Sequence, residues 1–262
     1  MMAAAEHLYR TEAVVLRRSD LGEADRILTL FARGYGKTRV VAKGVRKPAS
    51  RKAGHVELFM RVDVLLAQGR TLDVVSQAQM IDGFLPLRKD LLRTTCALHF
   101  VELLDAFTED SDQHDDLYDL LVKGLEWLCA TTDLRRATRY YELQLLNHVG
   151  YKPQLFECVI CGEKITAQDQ FFSTPDGGVV CPSCGPQHPR ARAMTLTALK
   201  VLRYMQTRAY EAVDQLNISA GVHAELERAM VETLTYHLER RLKSAAFLDR
   251  LRREDRQENW PQ

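Results

Sequence analysis

The sequence lacks the short motifs that mark several common enzyme classes. It contains no GxxxxGK[ST], GxGxxG or GxSxG pattern, so nucleotide hydrolysis, dinucleotide binding and serine hydrolase chemistry lack their usual residues. It has no apolar run near the roughly 18 residues of a membrane span. Its opening MMAAAEHLYR also lacks the apolar core of a signal peptide. We therefore expect a cytoplasmic protein with no membrane segment and no enzymatic activity.

Cysteine is scarce too, with six in 262 residues, and four of them form two CxxC pairs. Together the pairs read C-x2-C-x19-C-x2-C, which in a long chain without a secretory signal indicates a metal site rather than disulfides. Four thiolates complete a tetrahedral shell, so we predict one structural zinc per chain, held by Cys158, Cys161, Cys181 and Cys184. The alternatives are four reduced cysteines without metal, or His188 in place of one cysteine.

Acidic residues are absent from RGYGKTRVVAKGVRKPASRK, residues 33 to 52, which contains eight basic side chains. The whole chain has a net charge of +1, but residues 1–80 have 14 basic and 8 acidic residues, a net charge of +6. This segregation predicts an anionic partner for the N-terminal part. The predicted DNA-binding residues are Lys37, Arg39, Lys43, Arg46, Lys47, Arg51 and Lys52. The alternative is that the run forms only a solvated face.

Apolar residues between positions 10 and 79 recur with a period of two and are interrupted by turn-forming residues. This pattern predicts strands at 10–18, 25–32, 37–44, 55–67 and 71–79. Five short strands fit a small closed barrel of the OB-fold type, with an SH3-like barrel as the alternative. The strand at 37–44 would direct Lys37, Arg39 and Lys43 to the face opposite the core-facing Val40 and Ala42.

Beyond Pro86 the apolar period becomes helical, and the acidic stretch EDSDQHDD, residues 109–116, reads as a solvated loop. A helix with Thr132 or Asp133 as N-cap should end at Gly150. Helical patterns resume over 195–213 and 219–253. We therefore predict an α+β fold: an OB-fold domain at 1–82, a helical domain at 83–154 and 191–262, and a zinc-binding insert at 155–190.

Three arginines lie at the start of the helix that follows Asp133, where positive charge opposes the helix dipole and favours an external partner. An ordinary surface cluster is the alternative reading. The predicted partner-binding residues are Arg135, Arg136 and Arg139.

Three stretches resemble the RecO family of bacterial DNA repair and recombination mediator proteins. They are EAVVLRRSDLGEADRILTLFARGYGKTRVVAKGVRKPASR at 12–51, GRTLDVVSQAQMID at 69–82 and GYKPQLFECVICG at 150–162. The resemblance implies an N-terminal OB-fold, a helical domain that carries a zinc insert in many members, and no enzymatic turnover. It also implies binding of single- and double-stranded DNA, annealing of complementary strands, and work with RecR and single-stranded DNA-binding protein to help load RecA.

We further predict that the helical domain binds the acidic-hydrophobic C-terminal tail of single-stranded DNA-binding protein, with the three arginines as charge partners. Two other functions remain open at this point. One is an RNA-binding OB-fold protein, and the other is a zinc-containing scaffold for protein interactions.

Overall fold

The computed structural model describes residues 7–240 and 242–258. Within these residues the chain divides into two compact units. The barrel unit comprises residues 7–90 and 104–129, and the helical unit comprises residues 91–103, 130–240 and 242–258. The predicted domain limits at 82, 155 and 190 stay predictions.

The barrel is built from five strands that close on themselves in the order β1-β2-β3-β5-β4. Neighbouring strands are antiparallel except β3 and β5, which pair in parallel over Val40–Val41 and Asp73–Val74. This is the predicted OB-type barrel, joined to helices in a mixed α+β fold. The strands are β1 (Leu8–Leu21), β2 (Asp25–Ala32), β3 (Gly36–Ala42), β4 (Arg61–Ala67) and β5 (Asp73–Asp82).

Alternating apolar side chains fill the barrel interior, among them Leu28, Leu30 and Val40. The predicted start of the fourth strand at residue 55 is wrong, because β4 begins at Arg61. Residues 53–55 form a 3₁₀ turn, and Phe59 adopts a left-handed φ of 68° that no continuous strand permits. Val56 still reaches the core from this irregular segment, which explains why its sequence pattern resembled a strand.

Three helices follow the barrel: α1 (Leu85–Arg88), α2 (Leu91–Phe107) and α3 (Asp115–Ala130). The α3 residue Tyr118 is fully buried, and its hydroxyl lies 3.4 Å from a carboxylate oxygen of Glu12 in β1. The Arg33 guanidinium lies 4.7 Å from the centre of the Tyr118 ring and also pairs with Asp119. These contacts hold α3 against the barrel within the barrel unit.

The stretch 109–116, called here the acidic segment, is largely exposed, as expected of a solvated loop, but backbone contacts also hold it to the barrel. The Ser111 N–H donates to the Lys37 carbonyl at 2.8 Å, and Asp110 forms a parallel bridge with Lys37. The Gly34 N–H donates to the Asp115 carboxylate at 2.6 Å. The acidic segment therefore lies along the beginning of β3 and the turn before it.

The helical unit centres on three helices that pack against one another, α4 (Leu134–His148), α5 (Leu196–Thr207) and α7 (Ala220–Leu238). The predicted N-cap is confirmed, because the Asp133 side chain accepts from the Arg136 N–H at 3.0 Å. The remaining elements are α6 (Tyr210–Val213), α8 (Lys243–Glu258) and a small sheet of β6 (Gln170–Ser173), β7 (Gly178–Val180) and β8 (Arg192–Met194).

The helical patterns predicted over 195–213 and 219–253 are each divided in two. The first breaks at Arg208, which is extended between α5 and α6, and the second at Glu239, whose φ of 53° ends α7. Periodicity alone does not reveal these breaks, because apolar residues on both sides of each break face the same core. Within the described residues, no helix combines the length and apolar character needed to cross a membrane.

Gly36 provides a test of the acidic segment's position. A Cβ added to Gly36 would lie 1.8 Å from the Asp112 carbonyl oxygen, whereas one added to Gly34 meets no heavy atom within 4 Å. Both glycines have positive φ, so the strain of a left-handed alanine, roughly 1 kcal/mol, is common to both. We expect Gly36→Ala to lower the free energy of unfolding by about 2 kcal/mol more than Gly34→Ala. Urea unfolding measures the difference, and equal losses would contradict this packing.

Candidate nucleic-acid surface and metal centre

Five of the seven predicted DNA-binding residues are exposed on the barrel unit, and four of these five make no internal contact within the described residues. Arg39 lies on the outer face of β3, and Lys43, Lys47 and Arg51 follow in the loop before the 3₁₀ turn. Within the described chain, none of these four side chains has an ion pair or a hydrogen bond. They are therefore available to an external anion.

The other three residues, Lys37, Arg46 and Lys52, are engaged by groups of the protein itself. The Lys37 ammonium is almost completely covered and donates to the Asp105 and Thr108 carbonyls at 3.0 and 2.7 Å. It also lies 3.3 Å from the Asp105 carboxylate. The Lys37 ammonium therefore belongs to the internal packing of the barrel unit, whereas a phosphate-binding lysine would be exposed.

Arg46 and Lys52 are held less tightly. Arg46 pairs with Asp20 at 3.4 Å and donates to the Gly22 carbonyl at 2.9 Å. Lys52 donates to the Val75 carbonyl at 2.8 Å, and burial lowers the pKa of its ammonium. Each would have to give up a protein contact to meet a phosphate.

A groove of about 410 Å³ runs over the outer face of β1, β2 and β3. The strand register places Arg17, Thr29 and Arg39 directly opposite one another, so they form a row across the three strands. Adjacent members of such a row lie roughly 5 Å apart. The groove is lined by Arg17, Arg18, Ser19, Ile27, Thr29, Lys37, Arg39, Asp105 and Asp110.

Carboxylates accompany most of the positive charges in this groove. Arg17 pairs with Asp105 at 2.5 Å, and Arg18 pairs with Glu57. Asp110 lies 3.8 Å from the Lys37 ammonium. Arg39 is thus the lining cation without a carboxylate partner within the part of the chain that the structure describes.

Sequence reasoning missed Arg17 and Arg18 because they lie outside the acid-free run. Their signal was the Arg-Arg pair near the middle of β1, where the register shifts between Val15 and Arg17. Such a bulge redirects side chains, so simple alternation does not predict which of the two arginines faces outward.

The predicted partner-binding arginines fall into two classes. Arg136 is buried and pairs with Asp214 at 2.6 Å, and Arg139 is buried and pairs with Glu142 at 2.9 Å. Arg135 remains partly exposed. An external partner could therefore reach only Arg135 of the three without disrupting the helical unit.

The four cysteines of the two CxxC pairs converge at one point in the helical unit. Their sulfur atoms all lie within 4.8 Å of one another, and Cys161 and Cys181 are separated by 3.8 Å. A tetrahedral site with metal–sulfur bonds of about 2.3 Å has sulfur–sulfur edges of about 3.8 Å. The four thiols can therefore hold a metal ion.

A short hairpin brings the two pairs together. Strands β6 and β7 are antiparallel, and Cys181 follows β7 directly. The Val159 N–H, inside the first pair, donates to the Val179 carbonyl at 3.0 Å. The alternative ligand His188 instead has its Nε2 atom 3.2 Å from Asp176.

The thiols of the cluster differ in how readily they ionise. Burial opposes ionisation of Cys158, but backbone N–H groups, that of Cys181 first, lower its pKa to about 6. A hydrogen bond with Cys181 raises the pKa of Cys184 to about 12. Four neighbouring thiolates repel one another, so full ionisation requires a bound positive charge.

Comparison with known proteins gives a consistent result over both units. The family model described as "Recombination protein O N terminal" matches residues 2–84, and "Recombination protein O C terminal" matches residues 88–246. A DNA repair protein RecO from Roseiflexus sp. (strain RS-1) is 42% identical over 94% of this chain and 87% of its own length. A protein of the same name from Dehalococcoides mccartyi (strain ATCC BAA-2266 / KCTC 15142 / 195) is 36% identical over 94% of this chain and 97% of its own length.

The contacts of Lys37 predict that this residue stabilises the fold, whereas the exposed Lys43 does not. Lys37→Ala should lower the free energy of unfolding by about 2 kcal/mol or more, because Asp105 would keep a largely buried charge without this partner. Lys43→Ala removes the same charge from an exposed position and should leave stability within about 0.5 kcal/mol of the parent. Thermal unfolding followed by circular dichroism measures both. Equal stability of the two variants would refute the structural role of Lys37.

Proposed function

The chain belongs to the RecO family of DNA repair proteins, and from this we propose that it binds single- and double-stranded DNA through its barrel unit. It then promotes annealing of complementary strands and, with RecR, helps to load RecA on DNA coated by single-stranded DNA-binding protein. It performs this work in the cytoplasm, and no covalent step is involved. The observation that carries the proposal is the set of four unpartnered cations on β3 and the loop after it.

Phosphate recognition by this surface accounts for binding without sequence preference. Lysine and arginine contacts to the DNA backbone release counterions and give an affinity that falls steeply with salt. Such contacts position the DNA but read no bases. The row of Arg17, Thr29 and Arg39 lines the groove, and the loop with the other exposed cations follows β3 in the chain, which supports a backbone track over the barrel.

We propose zinc as the metal of the cysteine site. Cys158, Cys161, Cys181 and Cys184 would hold it, and their sulfur spacing fits a tetrahedral shell. With four protein ligands such a shell has no position for water or substrate. The zinc would therefore stabilise the fold of residues 155–190 and take no part in chemistry.

The predicted protein partners stay proposals as well. Contact with RecR and with the acidic tail of single-stranded DNA-binding protein follows from family membership. Of the three arginines first considered for the tail, the exposed position of Arg135 supports only that residue. An acidic peptide would gain a charge-assisted contact there without disturbing the buried pairs of Arg136 and Arg139.

Salt dependence tests the DNA surface. The triple variant Lys43→Ala, Lys47→Ala, Arg51→Ala should bind single-stranded oligonucleotides of unrelated sequence more weakly, by a similar factor for each. The slope of log affinity against log salt should flatten by about 2, since each lost phosphate contact contributes roughly 0.7. Fluorescence anisotropy over a salt series, with DNA and RNA of equal length, provides the measurement.

A control triple variant removes equal charge from exposed positions elsewhere, namely Lys123→Ala, Lys200→Ala and Arg228→Ala. It should change the slope little. If both triples behave alike, the loop is not the DNA path. Preference for RNA would favour the RNA-binding reading, and binding to neither polyanion would favour the scaffold.

Metal content tests the zinc proposal. The purified protein should contain about one zinc per chain, and Cys181→Ala should lose zinc and become less stable, because structural zinc contributes on the order of 10 kcal/mol in small modules. Cys129→Ala, outside the cluster, should retain the metal. Atomic emission analysis with thermal unfolding decides the matter, and a Cys181→Ala variant with full zinc content would contradict the ligand assignment.

A further inference from the structure

The groove on β1, β2 and β3 contains acids at positions that a DNA backbone would occupy. Asp105 pairs with Arg17 at 2.5 Å and with Lys37 at 3.3 Å. Asp110 lines the same groove beside Arg39, and about two thirds of its side chain is exposed. A phosphate entering the groove would therefore encounter two carboxylates among the cations that attract it.

Contacts of the main chain hold the segment that carries these carboxylates. Asp110 bridges to Lys37 in β3, and the neighbouring Ser111 N–H donates to the Lys37 carbonyl at 2.8 Å. On the N-terminal side of Asp110, the Lys37 ammonium donates to the Thr108 carbonyl at 2.7 Å. These contacts fix the backbone of the acidic segment, so Asp110 stays at the groove even when its exposed side chain rotates.

We infer that Asp110, supported by Asp105, is an affinity-limiting residue of the DNA groove, where its carboxylate repels the DNA phosphates that the groove cations attract. This inference rests on the proposed DNA-binding function. Asp105 reduces the attraction of Arg17 for phosphate by pairing with it, and Asp110 acts on a phosphate at Arg39 by direct repulsion within the same groove. The consequence is a shorter lifetime of the bound strand, which suits a protein that must pass DNA on.

Asp110→Asn tests the inference with little risk to the fold, because the amide is isosteric and the side chain is mostly exposed. We expect about three- to tenfold tighter binding of a single-stranded oligonucleotide at low salt, a slower dissociation rate, and a gain that shrinks as salt rises. Glu109→Gln is the matched control, since it changes net charge equally at an exposed neighbour outside the groove lining.

Arg39→Ala and the double variant with Asp110→Asn separate failure of the inference from failure of the proposed function. If DNA enters the groove, Arg39→Ala weakens binding, and the gain from Asp110→Asn is smaller in its presence, since the two side chains act on the same phosphate. If Arg39→Ala weakens DNA binding while Asp110→Asn leaves the affinity unchanged, the inference is overturned and the proposed DNA-binding function stands. If Asp110→Asn and Glu109→Gln raise the affinity equally, the inference is also overturned, because the gain then reflects net charge alone. If Arg39→Ala and Asp110→Asn both leave binding unchanged, the groove itself is excluded as the DNA path.

Discussion

The buried ammonium of Lys37 is the contact on which the arrangement of the barrel unit depends. It joins β3 to the end of α2 through the carbonyls of Asp105 and Thr108 and through the Asp105 carboxylate. A charge removed from water must be paired and hydrogen-bonded to be tolerated, and here three acceptors surround it. The acidic segment follows directly from this anchor and is held along β3 by the bridge between Lys37 and Asp110.

Ion pairs within the barrel unit decide how the positive charge of the N-terminal part is distributed. Asp105 neutralises Arg17, Glu57 neutralises Arg18, and Asp20 engages Arg46. The surviving field comes from Arg39 and the loop cations, so the surface is less positive than the local composition indicates. A moderate field of this kind is compatible with binding that is general for DNA and also reversible.

Unlike the distribution of charge, the cysteine cluster could be predicted from local sequence motifs. Its two CxxC pairs are local motifs, and the spacing between them leaves room for one hairpin, which the structure supplies as β6 and β7. Ligand type and spacing are enough to predict the cluster because a metal shell imposes its own geometry on whichever chain surrounds it. The spacing therefore predicts neighbouring sulfur atoms, and those of Cys161 and Cys181 are 3.8 Å apart.

The sequence by itself predicted a small five-stranded barrel, a helix N-cap at Thr132 or Asp133, and the cysteine cluster, because strand alternation, capping chemistry and metal-ligand spacing are all local signals. It did not determine which charges are free. Lys37 and Arg136 look like surface cations in the chain, but their partners Asp105 and Asp214 reach them only after the helices have packed. Ion pairing depends on distances of a few ångströms between side chains, and for partners from separate elements only the tertiary structure brings them together.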